Sequence, residues 1–154
     1  MKRFMMALLV VLVLGTAQAG GVEVDGLIVK PSKFSVTETL DRLEAALKKK
    51  GITIVTRWNH AAKAARAGIP LRPTELLIFG NPALGSHFFT SQQSSGIDLP
   101  MKALAWEDEN GKVWLGYNDP RYVADRHHIK DRPQIVKKMT GALDKMSRIA
   151  TGAE

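Results

Sequence analysis

The dipeptide Asn110-Gly111 separates two segments with strand-like composition, residues 100–107 and residues 112–117. An Asn-Gly pair accommodates the positive φ angles of the tight turns that join adjacent antiparallel strands. Two strands joined in this way leave no space for a crossover helix between them, so at least part of the sheet must be antiparallel. This pattern favours an α+β fold over a doubly wound parallel sheet.

Apolar spacing and capping residues predict secondary structure in the order β-α-β-α-β-α-β-β-α-α. Ser35 and Glu38 form a capping box at the start of the first helix. Its apolar face is made of Val36, Leu40, Leu43 and Leu47. Pro133 opens a final helix with an apolar stripe, as is typical of an amphipathic helix packed on a core. We expect residues 20–154 to form a single α+β domain, in which a mainly antiparallel sheet packs against helices and this C-terminal amphipathic helix.

Two early segments have the composition of strands. Residues 22–30 contain β-branched side chains, and Pro31 with Ser32 is expected to end this strand. Residues 52–58 are predicted to form a second strand. Regular alternation along it would place on one face the side chains of Ile52, Ile54, Thr56 and Trp58.

The middle of the chain contains a short run that is apolar on both faces, residues 76–79. Such a run is typical of a buried central strand. Asn81 and Pro82 follow it, and these are preferred residues for the cap and the first position of a helix. Further on, Trp106 and Trp114 flank the hairpin turn and are expected to face each other across it.

The first nineteen residues have the three-part pattern of a secretory signal peptide. Lys2 and Arg3 give a positive start, residues 4–14 are an unbroken apolar run, and Ala17-Gln18-Ala19 supplies a small-residue cleavage site. The run is shorter than the roughly 20 residues that span a bilayer. We therefore expect cleavage after residue 19, a periplasmic protein, and no stable membrane insertion after cleavage.

The composition excludes several kinds of site. The chain has no cysteine and therefore no disulfide, thiolate metal site or Cys nucleophile. Its 22 Lys and Arg against 15 Asp and Glu give +7. Removal of Lys2 and Arg3 would leave 20 basic against 15 acidic residues, or +5. This excess is not gathered into the basic stripe that a nucleic-acid-binding surface needs, so no nucleic-acid partner is expected.

Four short stretches, and their order along the chain, resemble the domain of unknown function 302 family. They are residues 59–62, 74–82, 96–100 and 117–120, and they include the phrases FGNP and GIDLP. The resemblance implies a compact α+β domain that is often found as a dimer, and it implies no catalytic assignment. Family members usually carry Asp before the histidine, where this chain has Asn59, so a site that used that Asp to orient His60 would be weakened here.

No catalytic motif of a known type is present, and we expect no metal site and no cofactor. Four histidines occur, but none of their spacings matches a helical pair of metal ligands. Loop and helix-start positions supply the candidate ligand-binding residues. These are His60, Asn81, Pro82, Asp98, Tyr117, Asp119 and His127.

Three functions remain open at this point. The first is a small-molecule or anion-binding accessory domain with a pocket near His60, Asn81 and Asp98, because helix N-termini favour anions. The second is a small hydrolase or isomerase that uses His60 with Asp98 or Asp119. The third is a dimeric interaction protein in which an aromatic face forms the interface and no pocket exists. Binding is favoured over catalysis, since no nucleophile–base pattern is visible.

Overall fold

A computed structural model describes residues 24–153, which form one antiparallel five-stranded sheet with helices. The expected signal peptide, residues 1–19, lies outside the described residues. The sheet has the strand order β1-β5-β4-β3-β2. Its strands are β1 (Leu27–Ser32), β2 (Thr53–Asn59), β3 (Thr74–Gly80), β4 (Met101–Glu107) and β5 (Val113–Asn118). The predicted α+β class is confirmed, and so is the predicted order of elements.

Five α-helices connect or follow the strands. They are α1 (Val36–Lys48), α2 (His60–Arg66), α3 (Pro82–Ser91), α4 (Pro120–Arg126) and α5 (Pro133–Thr151). A short 3-10 turn, Gln93–Ile97, lies between α3 and β4. The N-cap prediction for α1 is confirmed, because the Ser35 hydroxyl accepts a hydrogen bond from the backbone N–H of Glu38. Gly152, with a φ of 71°, ends α5 in the left-handed conformation that glycine adopts most readily.

The core lies between one face of the sheet and the two long helices. Helix α1 packs across β2 to β5, and α5 packs beside it and against β1. Leu40 and Leu47 of α1 and Leu77 of β3 are completely buried in this layer. Each such side chain contributes about 1.5–3 kcal/mol on burial, so this layer dominates the stability of the domain.

Strand β1 continues through Pro31 and Ser32, contrary to the expectation that these residues would end it. The strand lies at the edge of the sheet and pairs only with β5, where Pro31 is opposite Trp114. Proline is tolerated on an edge strand because its missing N–H leaves no bond unmade within the sheet.

The predicted alternation of β2 is wrong beyond Ile54. The register shifts between Ile54 and Thr56, so Val55 is an extra residue in a β-bulge. Arg57 then lies opposite Leu77 on the covered face, and Trp58 turns to the other face, where it is 45% exposed. Arg57 Nε donates to Glu75 Oε2 at 2.7 Å, which satisfies both charges beneath α1.

The β4–β5 hairpin is confirmed, and Trp106 lies directly opposite Trp114. The turn differs from the predicted one, since only Gly111 has a positive φ, of 75°. Asp108 organises the turn: its carboxylate accepts from Asn110 N, Lys112 N and the Trp114 indole. The indole hydrogen bond is the main reason that the pKa of Asp108 lies below its ordinary value.

We expect the substitution Leu40→Ala to destabilise the protein by about 2–5 kcal/mol, because it removes a buried side chain and leaves a cavity. The matched change Leu71→Ala, at a side chain that is 48% exposed, is expected to cost less than about 0.5 kcal/mol. Chemical denaturation measures both free energies of unfolding. Equal losses for the two variants would contradict the placement of the core between α1 and the sheet.

Candidate functional site

An apolar cavity of about 360 Å³ lies where β3 leads into α3 and where the chain enters β4. Gly80, Asn81 and Pro82 form one wall, and Leu99, Pro100 and Met101 form another. The remaining lining residues are Ile52, Thr53, Val55, Phe79, Leu84, Gly85, Ser86, Phe89, Met139 and Leu143. The FGNP and GIDLP phrases therefore meet at a single concave site.

The local sequence explains why space remains there. A Cβ at Gly80 would lie 3.3 Å from Pro100 Cβ, so the glycine allows the end of β3 and the start of β4 to approach closely. Gly85 leaves the cavity side of α3 without a side chain, and a Cβ there would contact only the Phe89 ring, at 4.0 Å. Small residues in the wall and large apolar residues around it thus produce a pocket.

Among the residues that the structure describes, none of those lining the cavity carries a charged side chain. Its polar side chains are those of Thr53, Asn81 and Ser86. The Asn81 side-chain oxygen already accepts from Ala83 N at 3.0 Å, as the cap of α3. A ligand therefore meets an apolar, uncharged wall with few free hydrogen-bonding groups.

Asp98 and His127 come together at a second place, next to the 3-10 turn. His127 Nε2 lies 2.6 Å from Asp98 Oδ2, and His127 Nδ1 lies 3.0 Å from the Ser94 hydroxyl. Arg126 donates to the other Asp98 oxygen at 3.0 Å. The contribution of Ser94 was not foreseen, because nothing in the sequence marks a serine 33 residues before a histidine as its neighbour.

His60 does not join the other candidates, so the expected pocket near His60, Asn81 and Asp98 is wrong in this respect. Asn59 pairs with Glu75 at the start of β3, whereas Gly80 at its end pairs with Thr53. His60 therefore lies at the opposite end of the β2–β3 pair from Asn81. The Asn59 side chain accepts from Ala62 N at 2.7 Å, so it caps α2 rather than orienting the imidazole.

The two remaining candidates, Asp119 and Tyr117, have structural roles. Asp119 caps α4 and accepts from the Arg121 backbone and guanidinium. Burial alone would raise the pKa of Asp119, but the hydrogen bonds from Arg121 outweigh it and hold the pKa below its ordinary value. Tyr117 is buried on the covered face of β5, and burial raises its pKa. Within residues 24–153, no three His, Asp or Glu side chains converge on a possible metal position.

A family model described as domain of unknown function DUF302 matches residues 28–146. The chain belongs to the DUF302 family. A crystal structure of an uncharacterised DUF302 protein from Bacillus stearothermophilus has the same fold, with a TM-score of 0.74 at 19% identity. The match covers 82% of this chain and 99% of that one.

Curated relatives of this DUF302 domain are longer proteins. Two are named fluoride-specific ion channel FluC 1, from Brucella suis and Brucella abortus, each 42% identical over 128 residues. The match covers 82% of this chain and 50% or 47% of those proteins, so the chain spans about half their length. None of the helices within residues 24–153 is long and apolar enough to cross a membrane.

The buried phenol of Tyr117 gives the DUF302 domain a measurable alkaline signature. The chain has two tyrosines, so the variant Tyr122→Phe reports Tyr117 alone by tyrosinate absorbance. We expect this phenol to ionise above the ordinary value of about 10, because burial disfavours the charged form and raises the pKa.

The raised pKa of Tyr117 also determines how the stability of the protein changes with pH. The folded state holds the Tyr117 proton more tightly than the unfolded state does, so stability is lost as the pH rises above about 10. Denaturation of Tyr122→Phe at several alkaline pH values should show this loss, and the double variant Tyr117→Phe/Tyr122→Phe should show less of it. A normal titration of Tyr117 would contradict its burial.

Proposed function

We propose that this DUF302 domain is a periplasmic binding module for a small, uncharged and mainly apolar molecule. The observation that supports the proposal is the apolar cavity at the junction of Gly80–Pro82 with Leu99–Met101. Its volume of about 360 Å³ lies within the range of about 300–1,000 Å³ that is usual for ligand pockets. Placement in the periplasm rests on the signal-peptide pattern of residues 1–19.

The chemistry of the wall favours a neutral ligand over an anion. Transfer of an unpaired ion into an apolar site is strongly unfavourable, and within residues 24–153 no Lys, Arg or His side chain lines this cavity. Removal of apolar ligand surface from water contributes about 25 cal/mol per Å², which favours ring systems and short hydrocarbon chains. Thr53 and Ser86 can add one or two orienting hydrogen bonds.

The names of the Brucella relatives are relevant to the kind of protein that this module accompanies. Those proteins are named as fluoride channels and are about twice as long as the matched segment. We propose that a domain of this type serves such a channel as an accessory. The uncharged cavity offers fluoride no cationic partner, so the ligand of the domain is expected to be a different molecule.

The binding proposal is tested with the neutral dye N-phenyl-1-naphthylamine, whose fluorescence rises in an apolar environment. We expect one saturable site in the wild-type protein and loss of binding by at least about tenfold in Gly85→Leu, since that side chain would occupy the cavity. Replacement of a helical glycine also adds up to about 1 kcal/mol of helix propensity, so the variant is expected to stay folded.

Gly141→Leu is the matched control for this experiment. It adds the same side chain to another helix, at a glycine that has open space around it and is not among the residues lining the cavity. Dye binding is expected to be unchanged. Equal loss in both variants, or undiminished binding in a folded Gly85→Leu protein, would contradict the assignment of the cavity as the binding site.

A second candidate function, self-association, is supported by the sheet face opposite the helices. All three tryptophans of the chain lie on this outer face. One row of paired residues crosses all five strands and is apolar throughout. It consists of Trp58, Leu76, Leu104, Gly116 and Val29. An antiparallel sheet that faces water usually carries polar side chains on that side, so this face has the character of an interface.

The size of the outer face fits a second copy of the chain. Five strands about 4.8 Å apart and about 20 Å long present roughly 480 Å², and two copies together about 1,000 Å², the lower limit for a stable interface. Lys102 projects from this side, but its ammonium group hydrogen-bonds to Asp98 O and Pro100 O of its own chain. The ammonium groups of Lys63 and Lys112 lie over the rings of Trp58 and Trp114, 4.5 and 4.1 Å from the ring centroids. A second copy must therefore pack beside these two cations.

Sedimentation measurements test this candidate. We expect a dimer at micromolar concentration, converted to a monomer by Leu104→Glu, because the change would place a carboxylate at the centre of the apolar row. The matched variant Leu71→Glu, at an exposed loop position, should stay dimeric. A monomeric wild-type protein would contradict the candidate directly.

A further inference from the structure

His127 contacts both Ser94 and Asp98. These contacts create an arrangement of reactive groups that the cavity lacks. A carboxylate, an imidazole and a hydroxyl lie in hydrogen-bonded series, with separations of 2.6 Å and 3.0 Å. This is the series that activates a serine nucleophile in hydrolases. We propose that Ser94, His127 and Asp98 form a hydrolytic site for small carboxylic esters with good leaving groups.

The direction of the hydrogen bonds supports the proposal. An ionised carboxylate only accepts, so the proton between Asp98 and His127 belongs to Nε2 of the neutral imidazole. Nδ1 then carries the lone pair, and the Ser94 hydroxyl is the group that can donate to it. The imidazole is reversed relative to the usual serine hydrolase arrangement, in which Nδ1 faces the carboxylate. Either ring nitrogen can accept a proton, so the reversal preserves the chemistry.

The exposure of the three groups to solvent also supports the proposal. The His127 side chain is 8% exposed and the Asp98 side chain 10% exposed, whereas Ser94 is open to solvent. Asp98 is further held by Arg126, which donates to its second oxygen. The base and its orienting carboxylate are thus fixed within the protein, while the nucleophile faces outward to a substrate.

A purely structural role for His127 would not need its hydrogen bond with Ser94. The His127–Asp98 bond by itself ties the end of α4 to the segment after the 3-10 turn. The exposed Ser94 hydroxyl could bond to water instead and adds little to that link. Its placement on the one imidazole nitrogen that can act as a base is the feature that favours catalysis.

The reaction requires only water as co-reactant. Ser94 Oγ attacks the ester carbonyl carbon while Nδ1 of His127 takes the hydroxyl proton. The bond from carbon to the leaving oxygen then breaks, and that oxygen receives the proton from Nδ1. Water then attacks the acyl carbon and gives a proton to Nδ1. The bond from that carbon to Ser94 Oγ breaks, Oγ receives the proton from Nδ1, and the carboxylic acid leaves. Ser94 does not line the apolar cavity described above, which is why small esters with good leaving groups are the expected class.

Two probes test the proposal on the purified protein. A fluorophosphonate is expected to form a single covalent adduct, located at Ser94 by peptide mass spectrometry, and p-nitrophenyl acetate is expected to be hydrolysed. Ser94→Ala should abolish the adduct. His127→Gln should lower both rates by at least about 100-fold, the scale of a positioned general base. Circular dichroism verifies that each variant is folded.

Matched controls distinguish reaction at Ser94 from nonspecific reaction at other surface side chains. Ser91→Ala removes a hydroxyl that bonds to the Asp131 carboxylate, and His60→Gln removes an imidazole at the far end of the sheet. Both variants are expected to retain labelling and hydrolysis. An unlabelled wild-type protein, adducts spread over several serines, or full activity in folded Ser94→Ala would overturn the proposal.

Discussion

Burial of α1 and α5 on one face of the sheet is the constraint on which the rest of the structure depends. The leucine stripe of α1 and the buried positions of α5 fit the inward residues of β3, β4 and β5. Because strand side chains alternate, fixing the inward set also fixes which residues face outward. The outer face with its tryptophans and the cavity at the end of β3 are both consequences of this single packing arrangement.

The same arrangement separates three surfaces with different chemistry. The cavity is apolar and uncharged, the outer face is apolar and broad, and the Ser94–His127–Asp98 cluster is polar and partly buried. The segment from Gln93 to Met101 contributes to two of them, since Asp98 holds His127 while Leu99 and Pro100 line the cavity. Binding, self-association and ester hydrolysis can still be tested separately, because the substitutions that test them are at different residues.

Periodicity and capping predicted most of the framework, because they report local physics. The Ser35 cap, the α1 stripe and the Trp106–Trp114 pair all depend on residues near in sequence or joined by one hairpin. The bulge at Val55 was missed, since regular alternation cannot reveal one extra residue. Only part of the proximity among the candidate residues could be predicted. Asn81 and Pro82 do line a cavity, but the position of His60 and the role of Ser94 depend on long-range packing.

Crystals of the protein equilibrated with xenon would test the cavity most directly. Xenon binds to dry apolar cavities through dispersion and needs no polar partner. We expect a single strong anomalous peak among Phe79, Phe89 and Met139. Ordered water bound throughout this space, or xenon bound only elsewhere, would contradict the account of an apolar site held open by Gly80 and Gly85.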